Sequence, residues 1–429
     1  MPTKNKIKSS PEILAPAGNR AAFLSAVAAG ADAIYCGLKS FSARMEAKNF
    51  SLAELAQLIR LAHARDIRVY VTFNSLLRDP ELERAGQTIG QLQKGGRPDA
   101  LIIQDLAMVQ LARQAGYTGE LHLSTLTNVS FGSALKTCAV HKGIDRVVLP
   151  RELSIDEMKA MAAACPDTLG LETFIHGALC YGVSGRCYWS SYLGGRSSLR
   201  GRCVQPCRRL YSQKNSRGRH FSCQDLSLDV LVKVLKTVPQ IRTWKIEGRK
   251  KGPHYVYYTV KAYQMLRDQF SDPQAKRAAL KLLEMALGRP GTHYNFLPQR
   301  PQNPLNADRQ TGSGFMVGKT KGSRDKSFLV PREELLPGDT LRVGYEDQQG
   351  HALVRVKKSV PRNGKFYLKL AGKKVPARGT PVFLTDRREK SLDKMIADLE
   401  AELAELPPVK IGMPPFSLKS PRAGKTGRR

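Results

Sequence analysis

Apolar residues in this chain come in short runs bounded by polar or glycine positions, and each run is followed by a stretch in which apolar residues recur every three or four positions. The runs lie at 13–18, 33–38, 69–74, 100–105, 121–125, 146–150, 171–177 and 244–249. Short β-branched or apolar blocks between turn signals predict buried strands, and the segment Ala53-Glu-Leu-Ala-Gln-Leu-Ile-Arg-Leu-Ala-His63 has the spacing of a helix with one apolar face. Strands alternating with helices predict a parallel sheet. Eight such units favour closure, so the expected fold is α/β, a (β/α)8 TIM-like barrel. An open doubly wound sheet would want a glycine-rich phosphate loop after its first strand, and Ala15-Pro-Ala-Gly18 fits neither that fingerprint nor a P-loop.

Beyond residue 250 the pattern changes. Helix-like spacing over 255–270 and 271–288 gives way to a Pro- and Asn-rich stretch, and then to short strands with turn signals, among them Gly314-Phe-Met-Val-Gly318, Asp339-Thr-Leu-Arg-Val-Gly344 and Thr380-Pro-Val-Phe-Leu384. This predicts a small C-terminal β-barrel domain. The expected organisation is an extension at 1–10, the barrel at 11–290 with a Cys-rich insertion at 178–225, a linker at 291–311, the β-barrel at 312–388, a helix at 389–406 and a basic tail at 407–429. The tail has six Lys/Arg and no Asp or Glu, a composition that does not fold by itself.

Charge narrows the function. The chain has 69 Lys+Arg against 37 Asp+Glu, a net charge of +32, far beyond what solubility needs, which points to a polyanionic partner: RNA, DNA or an anionic membrane surface. No run approaches the roughly 18 apolar residues of a membrane span, and no apolar signal core follows the first ten residues, so a cytoplasmic location is expected.

Five of the eight cysteines, Cys180, Cys187, Cys203, Cys207 and Cys223, fall within 44 residues, in the insertion between the seventh and eighth strands. In a chain of this size without an export signal, clustering suggests metal ligation before disulfides. The pairs Cys180/Cys187 and Cys203/Cys207 can surround an iron–sulfur cluster, while zinc prefers closer pairs and would suit Cys203 and Cys207 only. Spacing leans mildly to iron–sulfur and leaves zinc and unliganded thiols open. The same segment carries Arg186, Arg196, Arg200, Arg202, Arg208 and Arg209 among nine Lys/Arg, with no acid between Cys180 and Ser222, and interleaves Tyr181, Tyr188, Trp189, Tyr192 and Tyr211. Arginines beside aromatic faces suit unstacked RNA bases; the alternative is a solvated loop with its aromatics packed beneath.

Other candidates sit at strand ends, where barrel chemistry occurs. Glu172 and His176 on the seventh strand have an address suited to a general acid or base, although a lone histidine is as often a core hydrogen-bonder. Lys245, Glu247 and Arg249 alternate with apolar residues on the eighth strand and so share one face, the lumen or the helix-facing side; charges against a helix layer are costly, which favours a lumen site for a dicarboxylate or phosphate, the alternative being a structural ion-pair triad. Asn74, Gln104, Ser124, Asn128 and Arg151 lie at other strand ends, and Cys36 reads as a small buried residue of the second strand.

The strings Pro11-Glu-Ile-Leu-Ala-Pro-Ala-Gly-Asn19, Gly30-Ala-Asp-Ala-Ile-Tyr-Cys-Gly37, His176-Gly-Ala-Leu-Cys-Tyr-Gly-Val-Ser-Gly-Arg-Cys187, Gly201-Arg-Cys-Val-Gln-Pro-Cys-Arg208 and Lys245-Ile-Glu-Gly-Arg249 together resemble the collagenase-like peptidase family U32. The resemblance spans about residues 11 to 270. It implies a [4Fe–4S] cluster on Cys180, Cys187, Cys203 and Cys207, with Cys223 as a further candidate. It also implies oxygen-independent, prephenate-linked hydroxylation of a pyrimidine in rRNA or tRNA, as in some members, or of ubiquinone, as in others. The 312–388 segment is similar to the translation-factor-like β-barrel that some members append. Quinone chemistry gives no reason for +32, and the peptidase label finds no Ser/His/Asp order, HExxH or papain-like cysteine signature here.

Overall fold

The computed structural model describes residues 10–140, 143–305, 314–322, 327–345, 351–368, 370 and 376–418. Eight strands, β1 (Glu12–Pro16), β2 (Ala33–Gly37), β3 (Arg68–Phe73), β4 (Ala100–Ile103), β5 (Glu120–Leu123), β6 (Arg146–Val148), β7 (Gly170–Ala178) and β8 (Ile241–Ile246), form a parallel sheet in which β8 pairs with both β7 and β1. The sheet is therefore a closed barrel, as the periodicity predicts. Helices α1 (Arg20–Ala28), α2 (Leu52–His63), α3 (Leu82–Gly95), α4 (Ala107–Gln114), α5 (Gly132–Val140) and α6 (Ile155–Ala163) follow the first six strands and cover its outside.

Local chemistry sets where the helices start. Asn19 accepts from the Ala22 amide and Ser51 from the Glu54 amide, while Ser154 and Glu157 form a reciprocal capping box at α6. The apolar face of α2 then puts Leu55, Leu58, Ile59 and Ala62 against the strands. Each buried leucine contributes about 2–3 kcal/mol. Inside the barrel a separate small core of Leu14, Ala33, Tyr35, Tyr70, Ala100 and Ile102 fills the middle of the lumen.

The connection from β7 to β8 carries the insertion. It contains a helical turn at Trp189–Gly194, a hairpin of Tyr211–Gln213 with Ser216–Gly218, and a strand, Asp225–Ser227, lying antiparallel against the end of β7. Beyond β8, helices Pro253–Asp268 and Pro273–Met285 complete the barrel's outer layer. The C-terminal unit is a six-stranded antiparallel sheet with its own core of Val317, Leu329, Leu341, Val343, Val382 and Leu384. Among the described residues its outer strands are Ala352–Arg355 and Phe366–Tyr367, and the unit stands where the sequence pattern predicts the small C-terminal β-domain. Helix Lys390–Glu405 returns to the barrel and buries Leu392, Ile396, Leu399 and Leu403. Nearly all of the expected extension at 1–10, the linker from 306 and the tail from 419 lie outside the described residues. No helix among the described residues is long and apolar enough to cross a membrane.

Candidate active site at the barrel mouth

The lower lumen is charged. Glu12 accepts from Tyr70 Oη at 2.8 Å, Arg146 at 3.1 Å and Thr243 at 3.2 Å. Arg68 reaches Glu120 at 2.8 Å, His122 lies 2.7 Å from the same carboxylate, and Glu172 takes Lys245 at 2.7 Å and Arg146 at 3.5 Å. Burial alone would raise the Glu172 carboxyl, but Lys245 and Arg146 beside it outweigh burial and hold it below the ordinary range.

Above this layer, where β-strands end, a cavity of about 80 Å³ opens, lined among others by Arg44, Arg151, Lys245, Glu247, Arg249 and Cys180. The three charged positions of β8 and the turn after it thus face the lumen, but they do not form a triad with one another. Glu247 pairs with Arg44 at 3.0 Å and Arg151 at 3.9 Å and accepts from Tyr35 Oη at 3.0 Å. Burial pushes the Glu247 carboxyl up, the two arginines pull harder, and it settles at about 2. Arg249 donates to Ser42 and Thr72, both at 2.8 Å, and to Asn49 at 2.6 Å, fastening β8 to the loop after β2. The Nε atoms of Arg151 and Arg249 are buried without a hydrogen-bond partner, and Arg151 lies over the Phe174 ring at 3.8 Å. Three guanidinium groups around one carboxylate leave the cavity cationic, able to receive an anion.

Asn74, Ser124 and Arg151 line this cavity as their strand-end positions suggest. Gln104 is buried with Oε1 unpartnered, and Asn128 ends a short 3₁₀ turn in the left-handed region. Tyr35 and Arg44 are cavity residues for which the sequence pattern gave no warning. Cys36 is fully buried in the outer core, where burial pushes its thiol up to about 12.

His176 is not in the cavity. Between Lys245↔Phe174 and Ile246↔His176 the β7–β8 register shifts, so β7 carries one extra residue there. The bulge turns His176 outward, with Nδ1 3.1 Å from Tyr263 Oη and the ring against Tyr255 and Tyr263. Burial holds this imidazole down at about 4. It lines a second, larger cleft of about 1210 Å³ between the barrel and the C-terminal sheet, so Glu172 and His176 do not act together.

The insertion lies over the mouth. The Leu76 amide donates to the Leu199 carbonyl, Arg200 pairs with Glu81 at 2.8 Å, and Ser184 binds Glu152 through its amide at 2.7 Å. Tyr181, Trp189, Tyr211 and Phe221 pack together, with Trp189 and Phe221 ring centroids 5.0 Å apart, a small core within the insertion. Tyr188 and Tyr192 stand 66% and 87% exposed. Of the arginines expected to meet RNA, Arg186, Arg196, Arg202 and Arg209 are exposed. Arg208 instead donates to the carbonyls of Cys223 and Leu179 and to Ser222, so its role is structural. Arg200 is likewise committed to Glu81.

Among the described residues no three His, Cys, Asp or Glu side chains stand close enough to one point to hold a metal ion. The thiols nevertheless share a neighbourhood. Burial pushes the Cys207 thiol up to about 11, with Arg208 opposing and Cys180, Cys203 and Cys223 adding to the rise. Cys223 is buried and feels Cys180 in turn. The Cys187 sulfur would lie 3.2 Å from a Cβ placed on Gly182. The Gln205 amide donates to Cys203 Sγ at 3.4 Å. Thiols, an amide donor to sulfur and a nearby guanidinium suit in kind a thiolate-ligated, negatively charged centre.

Several known proteins share extended similarity with the chain. An uncharacterized protease of Methanocaldococcus jannaschii is 35% identical, covering 61% of this chain and 66% of that protein. A 23S rRNA 5-hydroxycytidine synthase of Escherichia coli is 33% identical over 77% of this chain and 52% of its own length, and a tRNA hydroxylation protein of Bacillus subtilis is 32% identical over 63% and 66%. The chain thus spans between about half and two thirds of the length of these relatives. The model of peptidase family U32 matches residues 18–306, which takes in the barrel from α1 onward and the insertion, and the chain belongs to that family.

Proposed function

We propose that the chain hydroxylates a pyrimidine in rRNA or tRNA at the barrel mouth, without molecular oxygen. The observation that carries this reading is one of place: the cationic cavity, Cys180 on its wall and the exposed arginines and tyrosines of the insertion all meet at the C-terminal end of the strands. Arg186, Arg196, Arg202 and Arg209 hold RNA phosphates, and Tyr188 and Tyr192 offer faces on which an unpaired base stacks. Arg44 and Arg151, oriented by the ionised Glu247, bind a small dicarboxylate such as prephenate. Lys245, neutralised by Glu172, supports the cavity from below. A [4Fe–4S] cluster on Cys180, Cys187, Cys203 and Cys207, with Cys223 next to them, would supply electron transfer beside the cavity.

Two measurements test this. Deleting the gene removes an oxygen-bearing nucleoside from rRNA or tRNA, seen by mass spectrometry; unchanged nucleosides sink the reaction. Protein purified without oxygen is coloured and contains iron and sulfide, and Cys180→Ser or Cys207→Ser lowers both; zinc in a colourless sample sinks the cluster. A peptidase activity is the second reading, favoured by the name of the archaeal relative. It requires purified protein to cleave gelatin regardless of serine replacements at the four cysteines.

A further inference from the structure

The two faces of the C-terminal sheet have different surroundings. In strand Pro381–Asp386 the side chains of Val382 and Leu384 enter the sheet's own core, so Phe383, between them, points the other way. In strand Phe315–Lys321 Val317 is likewise inward and Met316 outward, and Met316 stands opposite Phe383 across the ladder. Both are half-buried and line the cleft of about 1210 Å³ between this sheet and the barrel, and the Arg342 guanidinium lies 5.0 Å from the Phe383 ring centroid. The cleft therefore has an apolar, partly aromatic surface on its C-terminal side.

Arginines stand on both of its rims. Asn363, in the left-handed region, donates its amide to the Pro331 carbonyl at 2.9 Å, which brings the turns carrying Arg332 and Arg362 together on the sheet's side. Across the cleft Gln302 accepts from Thr292 Oγ1 and from the His293 amide, both at 3.0 Å, and closes the loop that presents Arg300. All three arginines are exposed and have no acidic partner among the described residues. The acids of the cleft are engaged elsewhere. Glu284 and Glu333 share Lys281, Asp225 holds Arg289 at 3.0 Å, and Asp229, whose carboxyl burial raises, accepts from the Val230 amide. On the barrel side His176 and the strand Asp225–Ser227 line the cleft, and Asp225 comes two residues after Cys223, whose carbonyl Arg208 holds. The cleft thus begins where the Cys-rich insertion ends.

We infer that this cleft is a second RNA site, in which a single-stranded segment beside the modified nucleotide lays its phosphates on Arg300, Arg332 and Arg362 and a base against Met316 and Phe383. The inference rests on the RNA reading above and adds a contact region outside the barrel mouth. Size favours a stretch of polymer, because small-molecule pockets run to about 1,000 Å³ and this cleft exceeds them. Unpaired guanidinium groups on facing rims, with an aromatic surface between them, match the alternation of phosphate and base along an unpaired strand.

The test uses the full chain, Arg332→Ser/Arg362→Ser, and Lys357→Ser/Lys358→Ser, which removes the same charge from exposed positions that do not line the cleft. Binding to a 20-nucleotide oligouridylate and to bulk tRNA is titrated across potassium chloride concentrations, with thermal unfolding as the control for fold. Single-stranded binding loses about 0.7 in log–log salt slope per phosphate neutralised, so the arginine variant lowers the steepness by about 1.4 and weakens binding by about tenfold or more at low salt. The lysine variant moves the slope by less than half as much. Oligouridylate carrying thiouridine, irradiated in the complex, crosslinks to peptides containing Met316 or Phe383. Equal slope and affinity for the parent and the arginine variant overturn the inference, as do equal losses in the two variants or crosslinks confined to the insertion. Polyglutamate binding that falls in the arginine variant, while RNA binding stays at the parent's level, overturns the choice of partner. If the parent binds neither RNA, the RNA reading itself fails.

Discussion

Replacing Glu247 by Gln keeps the side chain's shape and removes the one negative charge among Arg44, Arg151 and Arg249. The carboxyl sits at about 2 instead of its ordinary 4.5. At 1.36 kcal/mol per unit this makes its ionised form worth about 3 kcal/mol to the folded state, at the low end of the roughly 3–5 kcal/mol lost when a buried pair is broken from one side. Because the folded value lies below the unfolded one, the stabilisation is complete above about pH 4.5 and disappears as pH falls towards 2. Urea unfolding of the parent and Glu247→Gln at pH 7, 5 and 3, with equal m-values, measures this. The variant should be less stable by about 3 kcal/mol at pH 7, with the gap narrowing at pH 3 as the parent's own carboxylate takes a proton. Adding Arg44→Met to the variant should cost far less than it does in the parent, since the charge Arg44 served has gone. A difference under about 1 kcal/mol at pH 7, or one that does not change with pH, refutes the account of the cavity as a charge-balanced site.

Other outcomes follow from the same network. Glu172→Gln leaves both Lys245 and Arg146 without that partner and should cost about 3–5 kcal/mol, whereas Lys245→Met leaves the Glu172–Arg146 pair and should cost less; the reverse order in urea unfolding contradicts the pairing. His176 is neutral and buried with a folded value of about 4 against 6.5, so the unfolded chain binds the extra proton between those pH values and stability climbs across that window by roughly 3 kcal/mol. His176→Asn should flatten that climb in pH-dependent unfolding, and an unaltered profile would show that another group is responsible. Gly86→Leu gains about 0.8–1 kcal/mol of helix propensity but drives a side chain into Phe416, at a cost of about 1–3 kcal/mol, so the clash wins. Limited proteolysis should then cut after residue 406 sooner than in the parent, with the barrel intact.

The strands were legible because a buried parallel strand is a block of apolar residues that no surface loop resembles, and the helix starts because Asn19, Ser51 and Ser154 cap by chemistry that depends on a few neighbouring residues. The lumen direction of Lys245, Glu247 and Arg249 followed from a period of two and the cost of facing charge into a helix layer. Arg44, Ser42 and Asn49 were not legible. They sit in the loop after β2, and nothing in that loop's text says that it folds inward to meet β8. The insertion's aromatics split between packed and exposed for the same reason: spacing sets which residues are available, and contacts between distant segments decide which are used. Arg208 was mistaken for a surface contact because the carbonyls it holds, on Leu179 and Cys223, carry no side-chain signature.

His176 failed for a more particular cause, which also explains how the site has room. Counting by two from Glu172 through Phe174 puts residue 176 in the lumen. The extra residue in β7 resets the count, so that His176 faces out and Gly177 faces β8. A Cβ there would lie 2.3 Å from the Glu247 carbonyl oxygen and 2.9 Å from its Cβ, and the backbone has φ of +106°. The bulge thus removes a histidine from the mouth and puts in its place the one residue with no side chain, leaving space for Glu247 between Arg44 and Arg151. Gly177→Ala should cost at least about 2 kcal/mol, from the left-handed conformation and the clash together. It should also displace Glu247, so the pH 4.5-to-2 component of stability assigned to that carboxylate should shrink with it. An alanine variant that loses stability but keeps this component would place the strain elsewhere and separate the bulge from the cavity.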